Sequence, residues 1–399
     1  MHPPQRRERR ERRERRLRLL VAPEHARRLR RVAAHGLDYV RECTALRVTP
    51  GRVAIIADHR ILPLSWTRDA YYQALLLLAA GETAGGAAGR ALVADHLRWL
   101  WLSCERPNAG WARSHHANGR RKDERFQADQ QLYPLLELAD FWRVSRRLPE
   151  LEGGASADRR AWSALVSDVL RMLELASAPT GLLGSEENAA DDPLAYPYHF
   201  STQVLAWFTL RRLAELADEL DMTVDPLAMA NGFGAAVGRH FTLDDPTAGT
   251  IWAYAVDGHG GTLAHHDAND LPTALAPLWG FCRADDPTWR ATMEFAFSPR
   301  NDAYAEGPVG GLGSHHTAGT WSLGLIQEWV YRSLVDDGDG ARDTLRRLLG
   351  VACADGSLPE ASDRRTGRLA ARPWFAWPGA TVGALLAMDQ GGVLEGWLA

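Results

Sequence analysis

The chain has 399 residues, 46% of them hydrophobic, with a formal net charge of −4 at neutral pH. That composition supports a substantial soluble core, and the mildly acidic body argues against nucleic acid as a partner. No run of about eighteen apolar residues and no export-type leader occurs, so no membrane span is expected and a cytoplasmic location is the default.

From the N-terminus, residues 5–16 read QRRERRERRERR, eight Arg and three Glu. A block of this kind is expected as a solvated tail, disordered or a helical extension, so residues 1–24 are set apart from a single domain spanning 25–399. Apolar spacing then predicts helices at about 25–46, 69–81, 86–104, 126–146, 158–175, 199–220, 226–240, 270–283, 287–298, 319–335, 339–353 and 378–388. Strand signals are confined to 52–57 (RVAIIA) and 249–256 (GTIWAYAV). The four cysteines, Cys43, Cys104, Cys282 and Cys353, are scattered and read as reduced packing residues.

The loops before alternate helices concentrate charged, aromatic, Gly and His residues. Taking Trp66, Asp129, Asp192, Asp267, His315 and Glu360 as markers, the steps are 63, 63, 75, 48 and 45 residues, each roomy enough for a helical hairpin. Twelve helices with six decorated connections predict an all-α fold, an (α/α)6 toroid of two concentric helix rings with the loops sharing one funnel.

SWTRDAYYQ at 65–73 places Trp66, Arg68 and Asp69 ahead of a helix. A carboxylate takes hydrogen bonds from vicinal hydroxyls while an indole covers a sugar ring face, so this is a sugar-binding set. Asp129 in RFQADQQLYP repeats the logic. The acidic loop Glu186, Glu187, Asp191 and Asp192 feeds the helix that begins near His199. HHDANDLP at 265–272 supplies Asp267 and Asn269, and GGLGSHHTAGTWSLGLIQ at 310–327 supplies His315, His316 and Trp321. Three adjacent His pairs (His115–His116, His265–His266, His315–His316) invite a metal reading, but neighbouring side chains diverge and no metal-ligand spacing occurs, so no catalytic metal is expected. The Gly-rich loop lacks the Lys of a phosphate-binding loop, and no organic cofactor is expected. Glu360 stands in LPEASDRRTGRLAARPWFAW at 358–377, with Trp374 close behind. Two carboxylates delivered from different loops to one funnel, among Trp and Arg, meet the requirement for glycosidic bond cleavage, and Asp192 and Glu360 are the candidates.

These motifs resemble, in order from about Arg60 to Met388, those of the glycoside hydrolase family 125 exo-α-1,6-mannosidases. WTRDAYYQ at 66–73 is similar to that family's Trp-x-Arg-Asp-Ser-x-x-Gln, and FQADQQLYPLLELADFW at 126–142 to its Asp-x-x-x-Tyr-Pro segment. DDPLAYPY at 191–198 is similar to its Asp-Asp-x-x-x-Tyr-x-Tyr, GLGSHHT at 311–317 to Gly-Ile-Gly-Ser-Pro-His-Thr, and RPWFAW at 372–377 to Arg-x-Trp-Phe-x-Trp. The chain is also similar to family 15 glucoamylases and to the C-terminal domain of glycogen-debranching enzymes, in HFSTQVLAWFTLRRL at 199–213 and PEASDRRTG at 359–367. The resemblance implies a metal-independent, inverting, exo-acting glycosidase on an oligosaccharide or glycan, with Asp192 as general acid and Glu360 as general base. Asp191 is the alternative acid, because a one-residue shift of the alignment exchanges the two. Trp66, Arg68, Asp69, Asp129, Asp267, Asn269, His315, His316, Trp321 and Trp374 are the expected sugar contacts. A glucoamylase or debranching-type α-glucosidase, a sugar epimerase using histidines, and a non-catalytic sugar-binding relative are the other readings, while oligomeric state is not indicated.

Overall fold

The computed structural model describes residues 18–80, 86–151, 153–177 and 179–389. The Arg/Glu block at 5–16 lies outside the described residues. Among the described residues twelve α-helices follow in order: α1 (Pro23–Tyr39), α2 (Thr67–Ala79), α3 (Gly86–Leu102), α4 (Ala128–Ser145), α5 (Ala155–Ser177), α6 (Phe200–Ala214), α7 (Pro226–His240), α8 (Leu271–Leu275), α9 (Pro287–Ala296), α10 (Ser322–Leu334), α11 (Gly338–Val351) and α12 (Ala376–Asp389).

The even-numbered helices form an inner ring. α2 packs on α4, α4 on α6, α6 on α8, α8 on α10 and α10 on α12, and α12 returns to α2, which closes the circle. Their sequences explain the placement: every residue of α2 is buried, as is α4 from Ala128 to Phe141, so these largely apolar helices are enclosed on all sides, and the buried Glu137 and Asp140 of α4 are partnered by His96 and Tyr71. The outer helices are one-sided. α1 buries Leu29, Val32, Gly36 and Tyr39, positions spaced three and four apart, and turns its Arg-rich face to solvent. Close approach between the rings uses glycine: a Cβ on Gly36 would stand 2.8 Å from the carbonyl oxygen of Gly379 in α12, and one on Gly89 2.5 Å from that of Leu77 in α2.

All six inner helices begin on the same face. Three are entered through a two-residue strand held by a neighbouring loop: Leu64–Ser65 pairs with Ser114–His116, Tyr198–His199 with Ala255–Val256, and Thr320–Trp321 with Ala361–Ser362, each antiparallel. These ladders fix the height at which each helix N-terminus meets the funnel. Among the described residues eight tryptophans are fully buried; Trp321 and Trp377 of these face the funnel, while the other six, among them Trp99, Trp162, Trp289 and Trp329, fill the helical core.

Three differences from the sequence expectation have physical causes. The helix expected over 270–283 ends at Leu275, since Pro277 lacks an N–H and Gly280 adopts φ 78°. Strands expected at two places number fifteen among the described residues, eleven of them only two or three residues long and so too short to show alternation. The tail boundary set at 24 falls too late: Leu19 is buried, its N–H donates to Asp389 Oδ1 at 2.9 Å, and Trp329 Nε1 donates to the Leu20 carbonyl at 3.1 Å.

Candidate active site

The funnel narrows to a cavity lined by Trp66, Arg68 and Asp69 from the start of α2, Asp191 from the acidic loop, and Asn269 before α8. His316 and Trp321 before α10, with Glu360, Arg372 and Trp377 before and within α12, complete the wall. Eight of the thirteen expected catalytic groups and sugar contacts, Trp66, Arg68, Asp69, Asp191, Asn269, His316, Trp321 and Glu360, meet here, from five helix entries far apart in sequence that the ring brings together.

The acidic loop is folded by Asn188. Its Oδ1 accepts from the N–H groups of Ala190 and Asp192 at 2.8 and 2.9 Å, and its Nδ2 donates to Tyr254 Oη at 2.9 Å. Asp191 takes a left-handed conformation, φ 66°, which Asp tolerates at a cost of about 1 kcal/mol or more. The turn sends the two adjacent carboxylates to different partners. Asp191 Oδ1 accepts from Gln127 Nε2 at 2.7 Å and Arg68 Nη2 at 3.3 Å, and its Oδ2 from the Trp66 indole at 3.0 Å. Asp192 does not line the cavity. Its Oδ1 lies 3.2 Å from His316 Nδ1, while its buried Oδ2 has no hydrogen-bond partner among the described residues.

Arg68 is the hub of this wall. Its Nη1 donates to Asp129 Oδ2 at 2.9 Å, and its guanidinium sits 5.4 Å from the centroid of the Trp377 ring. Burial alone would lower its pKa, but Asp129, Asp191 and Asp69 together raise it, so it remains a fixed cation. Burial pushes Asp69 up to about 6, against the opposing pull of Arg68 and Arg372 and with Asp191 and Glu360 adding repulsion.

Glu360 is held from the other side. Its Oε1 accepts from Arg372 Nη1 at 3.1 Å, and Arg372 is in turn gripped by Asp58 Oδ2 through Nε and Nη2 at 3.2 and 3.1 Å. Glu360 Oε2 has no hydrogen-bond partner among the described residues. Asp58 also caps the 60–62 turn, accepting from the N–H groups of Arg60, Ile61 and Leu62. Burial would raise its pKa, but those N–H groups and Arg372 outweigh it and the net shift is downward. Its contribution to stability is therefore present at neutral pH and lost as pH falls below the ordinary Asp value. Asp58→Ala strands Arg372 and three turn N–H groups, and urea denaturation at pH 7 is expected to show a loss of about 3–5 kcal/mol, shrinking as the buffer is taken toward pH 3.

Several expected contacts are placed elsewhere. Asp129 stands behind Arg68, where it also accepts the Gln130 N–H at 2.9 Å, and does not reach the cavity wall. Asp267 is turned to Asn269, taking its N–H and Nδ2, each at 2.8 Å. His315 is exposed and faces Asp302 at 3.4 Å, away from the cavity, because adjacent side chains on that loop point apart. Trp374 lies at the outer rim under Arg60, 5.2 Å from its ring centroid. Sequence reasoning missed Asp58, Gln127, Asn188 and Arg372 as organisers of the two carboxylates. Arg372 and Gln127 left a signal, since RPWFAW and FQADQQLYPLLELADFW were part of the motif set.

A helical toroid whose ring face gathers two separately delivered carboxylates around a buried Arg and three indoles defines the six-hairpin class of carbohydrate-active proteins. The sequence model of the metal-independent α-mannosidases, GH125, matches residues 167–387, more than half of the chain, which belongs to that family. A protein of the fission yeast Schizosaccharomyces pombe, the meiotically up-regulated gene 157 protein, is 28% identical over 218 residues. The match takes in 53% of this chain and 42% of the yeast protein, so the chain spans less than half the length of that relative.

Among solved structures, a metal-independent α-mannosidase of Streptococcus pneumoniae in a non-productive complex with α-1,6-mannobiose superposes with a TM-score of 0.78. It is 19% identical, over 92% of this chain and 96% of that one. A bacterial glucoamylase complexed with acarbose gives 0.66 at 15% identity, over 91% and 56% of the two chains. At these identities the two superpositions establish the fold. No described helix is long and apolar enough to cross a membrane.

Proposed function

We propose that the protein is a glycoside hydrolase that removes a terminal α-mannose from an oligosaccharide, with an α-1,6 linkage as the first to test, by inversion at the anomeric carbon. The observation that carries this reading is the convergence of Asp191 and Glu360, from loops 169 positions apart, on one cavity in a member of this family. We assign the general acid to Asp191 rather than Asp192, because Asp191 shares the cavity wall with Glu360.

With Oδ1 engaged by Gln127 and Arg68, Asp191 Oδ2 carries the proton that passes to the glycosidic oxygen as the bond to the anomeric carbon breaks. Glu360, its Oε1 fixed by Arg372, takes a proton from water at Oε2 while that oxygen bonds to the carbon from the opposite face. One water is consumed, and the sugar leaves as the β-anomer. Arg68, Gln127 and the Trp66 indole stabilise the carboxylate left on Asp191. Asp69, Asn269, His316, Trp321 and Trp377 surround the sugar.

Anomer-resolved NMR on α-1,6-mannobiose, with isomaltose in parallel, tests the reading: release of β-mannose supports it, release of β-glucose moves the protein to the glucoamylase side, and no turnover of either counts against hydrolysis. An epimerase would need histidines at the reacting carbon, and of the three His pairs only His316 lines the cavity. Asp69 must be ionised to accept sugar hydroxyls, so kcat/KM is expected to fall on the acid side with an inflection near pH 6. A profile flat from about pH 5 to 7 would remove Asp69 from that role. Four free, dispersed thiols favour a reducing, cytoplasmic compartment. Nothing in the site calls for nucleic acid.

A further inference from the structure

Beside the cavity mouth, outside its wall, three loops are clamped together. The Ala268 N–H donates to the Gly313 carbonyl at 3.0 Å, and the Gly313 N–H to the Ala303 carbonyl at 2.9 Å. Buried Asn301 brackets His266, accepting its N–H at 3.2 Å and donating Nδ2 to its carbonyl at 2.9 Å. From this clamp project His265, Asp302 and His315, one residue from each loop. His265 Nδ1 lies 2.6 Å from Asp302 Oδ1, and His315 Nε2 lies 3.4 Å from Asp302 Oδ2. The imidazole centroids are 4.9 Å apart, and one donor atom from each of the three residues lies within 4.8 Å of the others.

We infer that His265, Asp302 and His315 form a structural site for a single divalent transition ion of the zinc class. Two imidazoles and a carboxylate are the donor set that zinc and its neighbours prefer, whereas calcium and magnesium select oxygen ligands. Tetrahedral zinc with bonds near 2.0–2.2 Å sets its ligand atoms about 3.3–3.5 Å apart, so closing the site takes side-chain rotation of an ångström or so on a fixed backbone. Asp302 and His315 are exposed, which leaves room for water to complete the shell. His265 is steadied by the buried Tyr254 ring packed edge-on at 4.7 Å, and Tyr254 Oη is itself bonded to Asn188 of the acidic loop.

The ion would take no part in bond cleavage, since none of its three ligands lines the cavity; this is compatible with a metal-independent reaction. It would instead cross-link the 265–267, 301–303 and 313–316 segments, the last of which carries His316 to the cavity.

The test uses the full chain stripped with a chelator and then titrated with zinc chloride by calorimetry, with cobalt absorption as a second readout and thermal melting with and without zinc. Saturable binding of one ion per chain and a higher Tm with zinc are expected. His315→Ala and Asp302→Ala should each weaken affinity tenfold or more and abolish the Tm rise, while His259→Ala, at an exposed histidine elsewhere, should change neither. Absence of saturable binding, or binding unchanged in both ligand variants, would overturn the proposal. Circular dichroism of each variant without metal separates loss of the site from loss of the fold.

Discussion

Glu360→Gln is expected to lower kcat on a terminal α-mannoside by about 10³-fold while the dissociation constant for mannose stays within a few-fold of the parent. The amide keeps the side chain's shape and still accepts from Arg372 Nη1 through its carbonyl oxygen, so the cavity wall is retained. What it loses is the oxygen that takes the proton from water. Steady-state kinetics and calorimetry with mannose read the two effects separately. A variant that retains a tenth or more of the parent rate would remove Glu360 from the role of base.

Exchanging the two neighbouring aspartates is expected to give unequal results. Asp191→Asn should reduce hydrolysis of α-1,6-mannobiose by about 10³-fold, with a much smaller loss on an activated nitrophenyl α-mannoside, whose departing oxygen needs no proton. Asp192→Asn should cost about tenfold or less on both substrates, acting through the contact with His316. The left-handed turn at Asp191 is what separates the two fates, because it aims one carboxylate at Trp66 and Arg68 and the other at His316. If the leaving-group dependence appears in Asp192→Asn instead, the acid assignment reverses.

Much of the architecture is legible from apolar spacing, because a toroid repeats one simple requirement: an inner helix buried on every side and an outer helix buried on one. α2 and α4 carry long apolar runs and α1 an Arg-rich stripe, and those patterns suffice. The site is less legible wherever a residue's role depends on a distant partner. Asp58 closes a strand-like run and gives no hint of Arg372, which lies 314 positions away. Asp129 has the makings of a sugar ligand beside Arg68, but which of the two reaches the cavity depends on helix rotation, which spacing alone leaves open. The histidine pairs show the same limit from the other direction. Within each pair the side chains diverge, as adjacency dictates, yet one histidine from each of two different pairs converges on Asp302.

The ring closes where α12 meets α1 and α2, and Glu360, the proposed base, lies on that seam. Arg372, which holds Glu360, is fixed by a carboxylate contributed from near the opposite end of the described chain, and a contact across so many residues carries one of the steeper loop-closure costs in the fold. During synthesis the acidic loop, Arg68 and the Trp66 indole can all be in place while the last helix is still emerging. Glu360 acquires its fixed orientation only when α12 docks. On the proposed assignment catalytic competence and topological completion are a single event, and a chain whose α12 has not docked is expected to be inactive on a glycan.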